Sequence, residues 1–212
     1  MYLQHDNNSK PIKSPEIETR NTTKREAKNI YPPGDLALWI FICAELLVFG
    51  IFFVSYAFTR ANHIELFNQY QTTLNTNLAL FNTLALLTSS YFVVNAIIAI
   101  KNRQQKKSTQ FLFLSIIGGV TFLVIKMTEY SHHISEGINL STNFFYMFYL
   151  SLTFFHFMHV ILGVIILSVL WVNTRKGIYT AEQHNGMLSG GAYWHMVDMV
   201  WLILFPLIYI MR

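Results

Sequence analysis

Charge is scarce in this sequence. Only 12% of its 212 residues are Asp, Glu, Lys or Arg, where an ordinary soluble domain carries about 25%. Apolar residues make up 53% and 18 residues are Phe, so the chain could not cover a water-facing surface with polar groups. That balance excludes a disordered chain and a coiled coil. Cysteine is nearly absent. Cys43 stands alone, which excludes an internal disulfide and a disulfide scaffold and leaves the redox compartment unread. We find no internal repeat and no low-complexity segment. Nor do we read a secretory signal, since no apolar stretch follows a short basic start. These absences leave an integral membrane protein.

Residues 1–35 stand apart. They are rich in Asn, Lys and Thr, hold six Lys/Arg and five Asp/Glu, and contain three of the five prolines between Pro15 and Pro33. We read a mobile, polar cytoplasmic tail ending in a Pro32-Pro33-Gly34 turn, followed by a membrane domain over residues 36–212. Five apolar runs fill that domain: Leu36 to Phe58, Asn77 to Ile100, Phe111 to Tyr130, Phe144 to Val172, and Met187 to Ile210. Each has about the 20 residues that a helix needs to cross a bilayer. None alternates apolar and polar residues as a porin strand would. The fold class is therefore all-α, a bundle of five transmembrane helices.

Basic residues orient such a bundle. With a cytoplasmic N-terminus, twelve lie inside: six in the tail, then Lys101, Arg103, Lys106, Lys107, Arg175 and Lys176. Arg60 and Arg212 lie outside, and Lys126 lies near the outer end of the third helix. We expect the N-terminus inside and the C-terminus outside. The net charge of +4 then has a topological role and no nucleic-acid partner is needed. Short loops leave no second domain for a soluble substrate.

Several ionisable residues sit in the apolar runs, where each costs about 2.5–3.5 kcal/mol at a helix centre. They are Glu45 in FICAELLVFGIFF, Lys126 and Glu129 in IKMTEYSHH, His156 and His159 in FFHFMHVILG, and His195 and Asp198 in YWHMVDMVW. His156, His159 and Gly163 share one helical face; so do Gly191, His195 and Asp198. Asn82 with Ser89, and Thr83 with Ser90, give the second helix a polar stripe. The simplest reading is interhelical polar packing by Glu129, His156, His159, His195 and Asp198, aided by the small residues. We expect His195 and Asp198 to meet His156 or His159. The competing readings are a haem or metal site and proton handling. Di-metal bundles repeat a Glu-x-x-His pair on two helices; here Glu129 to His132 is one formal match, at a membrane edge. Glu45 is read either as a protonated structural group or as one that exchanges protons. Met127, Met147, Met158, Met196 and Met199 read as filler. Trp39 and Trp171 read as interfacial anchors.

The motifs together resemble subunit III of the haem-copper oxidases over residues 34–212. The likeness rests on AELLVFGIFF, on TEY at Thr128–Tyr130, on FHFMHVILG at Phe155–Gly163, and on YWHMVDMVW at Tyr193–Trp201. The resemblance implies the short, five-helix form. It implies a subunit without catalytic residues, haem, copper or other metal of its own, packed against catalytic subunit I, which holds the redox centres. It implies that Glu45 matches a carboxylate reactive toward hydrophobic carbodiimides near a proton-pathway entrance. Structural phospholipid is implied too, and Asn82 and Thr83 are where we would look for lipid contacts. Many oxidase members carry a Glu seven residues before the final His; here that residue is Leu188. LALFNTLALLTSSYFVV and WLILFPLIYIMR are similar to subunit-III relatives that accompany bacterial nitric oxide reductases. We therefore expect a non-catalytic accessory subunit of a respiratory terminal oxidase, multi-pass in a bacterial inner membrane. It would stabilise subunit I and support proton uptake during oxygen reduction. The alternative is an accessory protein of a nitric oxide reductase.

Overall fold

The computed structural model describes residues 36–211; the tail predicted over residues 1–35, and Arg212, lie outside them. The described residues form helices without strands. These are α1 (Leu36–Asn62), α2 (Ile64–Gln71), α3 (Thr76–Lys101), α4 (Gln105–Ser135), α5 (Phe144–Arg175) and α6 (Asn185–Phe205), closed by a π-helical turn at Pro206–Ile210. Five of them are long and apolar enough to cross a membrane. α4 overruns its apolar segment at both ends, because the Lys106-Lys107 and His132-His133 stretches continue the helix beyond the apolar stretch.

Local chemistry marks the ends. Asn75 caps α3 by accepting from the Leu78 N–H at 3.1 Å, and Asn143 caps α5 by accepting from the Tyr146 N–H at 2.9 Å. Gly137 and Gly177 both have φ of +77° after α4 and α5. There a residue without a Cβ lets the chain reverse, and the Ile138 and Ile178 N–H groups reach back to the His133 and Asn173 carbonyls at 3.0 Å.

α4 packs against α3 and α5, and α6 packs against α5 and α3. α6 is the most enclosed of the five long helices and α1 the least. α1 rests lightly on α5, α6 and α2, and Tyr56 donates to the Leu207 carbonyl of the closing turn at 3.2 Å, while Leu47, Val54 and Phe58 are turned outward. Helix α2 was not expected from the sequence. It forms because Phe67, Tyr70 and Gln71 share one helical face, with Phe67 and Gln71 buried and Tyr70 packed against the core. Pro206 lacks an N–H and ends α6. The wider turn that follows is closed by the Met211 N–H donating to the Pro206 carbonyl at 2.9 Å.

Candidate functional site

α1 and α5 bring Glu45 and His159 together. Glu45 Oε2 lies 3.0 Å from His159 Nε2. The other ring nitrogen, Nδ1, lies 2.8 Å from the Phe155 carbonyl. A carbonyl oxygen can only accept, so Nδ1 carries a proton. Nε2 then offers either a lone pair or a second N–H. At 3.0 Å from a carboxyl oxygen it requires one shared proton, held either by the carboxyl or by the imidazole. The ring is fixed edge-on by Phe49 at 5.3 Å and Phe155 at 4.7 Å. On the same stretch of α1, Phe41 stacks on Tyr193 at 6.2 Å. Glu45 itself is only partly covered, because α1 is loosely enclosed.

A second polar cluster joins α4, α5 and the π-helical turn. Lys126 is 1% exposed. Its Nζ donates to Glu129 Oε2 at 3.1 Å and to Tyr209 Oη at 2.7 Å. Glu129 Oε1 accepts from Tyr209 at 2.8 Å and from Tyr149. The ammonium also faces the ring of Trp201 at 5.2 Å. The expected packing role of Glu129 therefore has named partners. Its tyrosines could not be read from spacing, since they are 20 and 80 residues away.

The expected meeting of His195 and Asp198 with His156 or His159 does not occur. His195 Nδ1 is hydrogen-bonded to Ser90 Oγ on α3 and lies 3.5 Å from Asp198 Oδ2 in its own helix. The Gly191–His195–Asp198 face therefore turns to α3: a Cβ on Gly191 would meet Ile97 Cδ1 at 2.8 Å. The α5 face turns elsewhere. A Cβ on Gly163 would stand 2.7 Å from Trp194 Cε3. His156 is fully buried, with both ring nitrogens unpartnered. Its ring stacks on Trp201 at 5.2 Å and meets Phe122 edge-on at 5.7 Å. Two matching polar faces on adjacent helices were thus a misleading cue, because helix rotation sent each to a different neighbour.

Asn82 and Thr83, expected to touch lipid, lie inside the bundle. Asn82 is wholly buried with its amide unpartnered. Thr83 Oγ1 donates to the Ala79 carbonyl and accepts from Trp201 Nε1, both at 2.9 Å. The rest of the α3 stripe is likewise used in packing, with Ser89 donating to the Ser115 carbonyl of α4 at 2.8 Å.

Residues 25–212 match the family model described as cytochrome c oxidase subunit III. Cytochrome c oxidase subunit 3 of Thermostichus vulcanus is 34% identical over 177 residues, covering 83% of this chain and 86% of that protein. The subunit 3 of a Synechocystis species is 30% identical over 225 residues, covering 99% and 95%. Heme-copper oxidase subunit I+III of Aeropyrum pernix is 29% identical over 180 residues, covering 82% of this chain and 22% of that protein. A bundle with five long apolar helices, matched over most of its length, is a membrane protein that associates with other oxidase subunits: the chain belongs to the cytochrome c oxidase subunit III family of the haem-copper oxidases.

Proposed function

We propose that this chain is a non-catalytic accessory subunit of an oxygen-reducing terminal oxidase. In this reading it stabilises subunit I and supports proton uptake, and it holds no redox centre of its own. Haem and copper then reside in subunit I. The observation that carries the proton role is the one-proton pair between Glu45 and His159 at 3.0 Å. It sits about ten residues into α1, roughly 15 Å along the helix, on a helix that is sparsely covered. The shared proton can sit on the carboxyl or on the imidazole with the pair neutral either way. Passing it on leaves a carboxylate that must be reprotonated at once, because an unpaired charge is costly in hydrocarbon. The reading of subunit I as partner draws support from the Aeropyrum pernix relative, whose name joins subunits I and III. We place the protein in a bacterial inner membrane, N-terminus inside, on the distribution of Lys and Arg.

The test is steady-state turnover of the assembled complex, followed to exhaustion. A Gln at residue 45 can still donate to His159 Nε2, so Glu45→Gln keeps the contact and removes the exchangeable proton. The expected result is normal assembly with lower turnover or faster loss of activity over cycles. Identical curves would remove the proton role and leave Glu45 as structure. The catalytic subunit that co-purifies in mild detergent decides the enzyme: an oxygen reductase is expected, and a nitric oxide reductase would overturn that part.

A further inference from the structure

We propose that His132, His133 and Glu136, at the C-terminal end of α4, form a binding site for one divalent transition cation of the zinc type. Among the described residues these three offer ligand atoms that all lie within 4.8 Å of one another. Glu136 Oε2 lies 3.4 Å from His132 Nδ1 and 3.6 Å from His133 Nδ1. The longer of these is no hydrogen bond and the shorter is at its limit. Ligands held about 2.0–2.1 Å from a tetrahedral ion, however, stand about 3.3–3.4 Å from each other. The helix supplies this spacing between Glu136 and each histidine, since Glu136 follows His132 by one turn and His133 by slightly less. The two imidazoles, from neighbouring residues, have ligand atoms within 4.8 Å and would draw together on the ion.

His133 gives an independent pointer. It is 8% exposed, and its Nδ1 makes no hydrogen bond. A buried polar atom without a partner is uncommon, and a metal ion is one partner that would satisfy it. The Tyr149 ring stands edge-on to the imidazole at 5.6 Å, which limits its freedom to turn away. All three side chains line one cavity of about 600 Å³, which Thr73, Asn75 and Glu129 also line. That cavity has room for a water as the fourth ligand. Two imidazoles and one carboxylate favour a borderline cation such as Zn²⁺ over Ca²⁺ or Mg²⁺, which prefer oxygen. An ion here would face the same cavity as Glu129 and would carry no redox chemistry.

The experiment uses the full chain in mild detergent after chelation, titrated with Zn²⁺ by calorimetry and with Co²⁺ by visible absorption. One equivalent of saturable Zn²⁺ binding is expected, with the intense bands of tetrahedral Co²⁺. His132 and Glu136 are 70% and 49% exposed in their side chains, so His132→Ala and Glu136→Gln should fold normally. Each should weaken binding about tenfold or more, since loss of even an outer-sphere partner costs about 10–100-fold. His63→Ala should leave the affinity unchanged. Absence of saturable binding, or equal affinity in His132→Ala, Glu136→Gln and the unaltered chain, would overturn the proposal.

Discussion

Lys126 shows how a single charged residue is kept in an apolar bundle. Its ammonium has one carboxylate and one phenol within hydrogen-bonding distance and aromatic rings around the rest. Removing one member of a buried ion pair is strongly destabilising, because the other charge stays behind. Glu129→Ala should therefore cost about 3–5 kcal/mol, read as a lower Tm of the detergent-solubilised chain. Combining Lys126→Met with Glu129→Gln removes both charges and should recover most of that loss. A Glu129→Ala chain that melts like the parent would show that water reaches Lys126. The pair itself was legible, since Lys126 and Glu129 are one helical turn apart. Tyr149 and Tyr209 were not, because nothing local marks a tyrosine that will meet a carboxylate from another helix.

At the scale of elements, one indole organises the centre. Trp194 of α6 is fully buried, and it fills a slot between Gly119 of α4 and Gly163 of α5. A Cβ on Gly119 would come 2.7 Å from Trp194 Cη2, and one on Gly163 would come 2.7 Å and 2.8 Å from two of its ring carbons. Two effects oppose each other in Gly163→Ala. Alanine favours the helix by about 0.5–1 kcal/mol, while overpacking a core costs about 1–3 kcal/mol. The ring is rigid and closed in, so overpacking should win. A lower Tm is expected, with partial recovery when Trp194→Phe is added. A second expectation concerns α1, which rests on few neighbours. Its amides should exchange with deuterium before those of α6 in the isolated chain, measured by mass spectrometry. Equal protection of the two helices would contradict the packing described here.

At the scale of the whole molecule, the long helices alternate in direction. The loop after α3 and the loop after α5 share one end, where Arg103 meets Glu182 at 2.8 Å. That end also carries Lys101, Lys106, Lys107, Arg175 and Lys176. The proposed metal site and the Lys126–Glu129 cluster belong to the opposite half. If the basic end is cytoplasmic, alkaline phosphatase fused after Arg212 should be active and a fluorescent protein fused there should stay dark. The reverse pair of results would invert the topology and place the metal site inside the cell.

Sequence by itself determined that this chain crosses a membrane, how many times, and which family it belongs to. Those properties depend on run length, on backbone hydrogen bonds that lipid forces inside each helix, and on motifs contiguous in the chain. It also singled out Glu45, Glu129, His156, His159, His195 and Asp198, because an ionisable residue in an apolar run is conspicuous wherever the helix turns. Only the tertiary structure decided the partners: Glu45 with His159, His195 with Ser90, and His156 with the ring of Trp201. The physical reason is rotation. The five long helices are apolar nearly all round, so the pattern along one of them does not say which neighbour its polar residues will meet. That choice falls to shape, above all to the glycine slot that receives Trp194 and sets how α6 turns against α4 and α5.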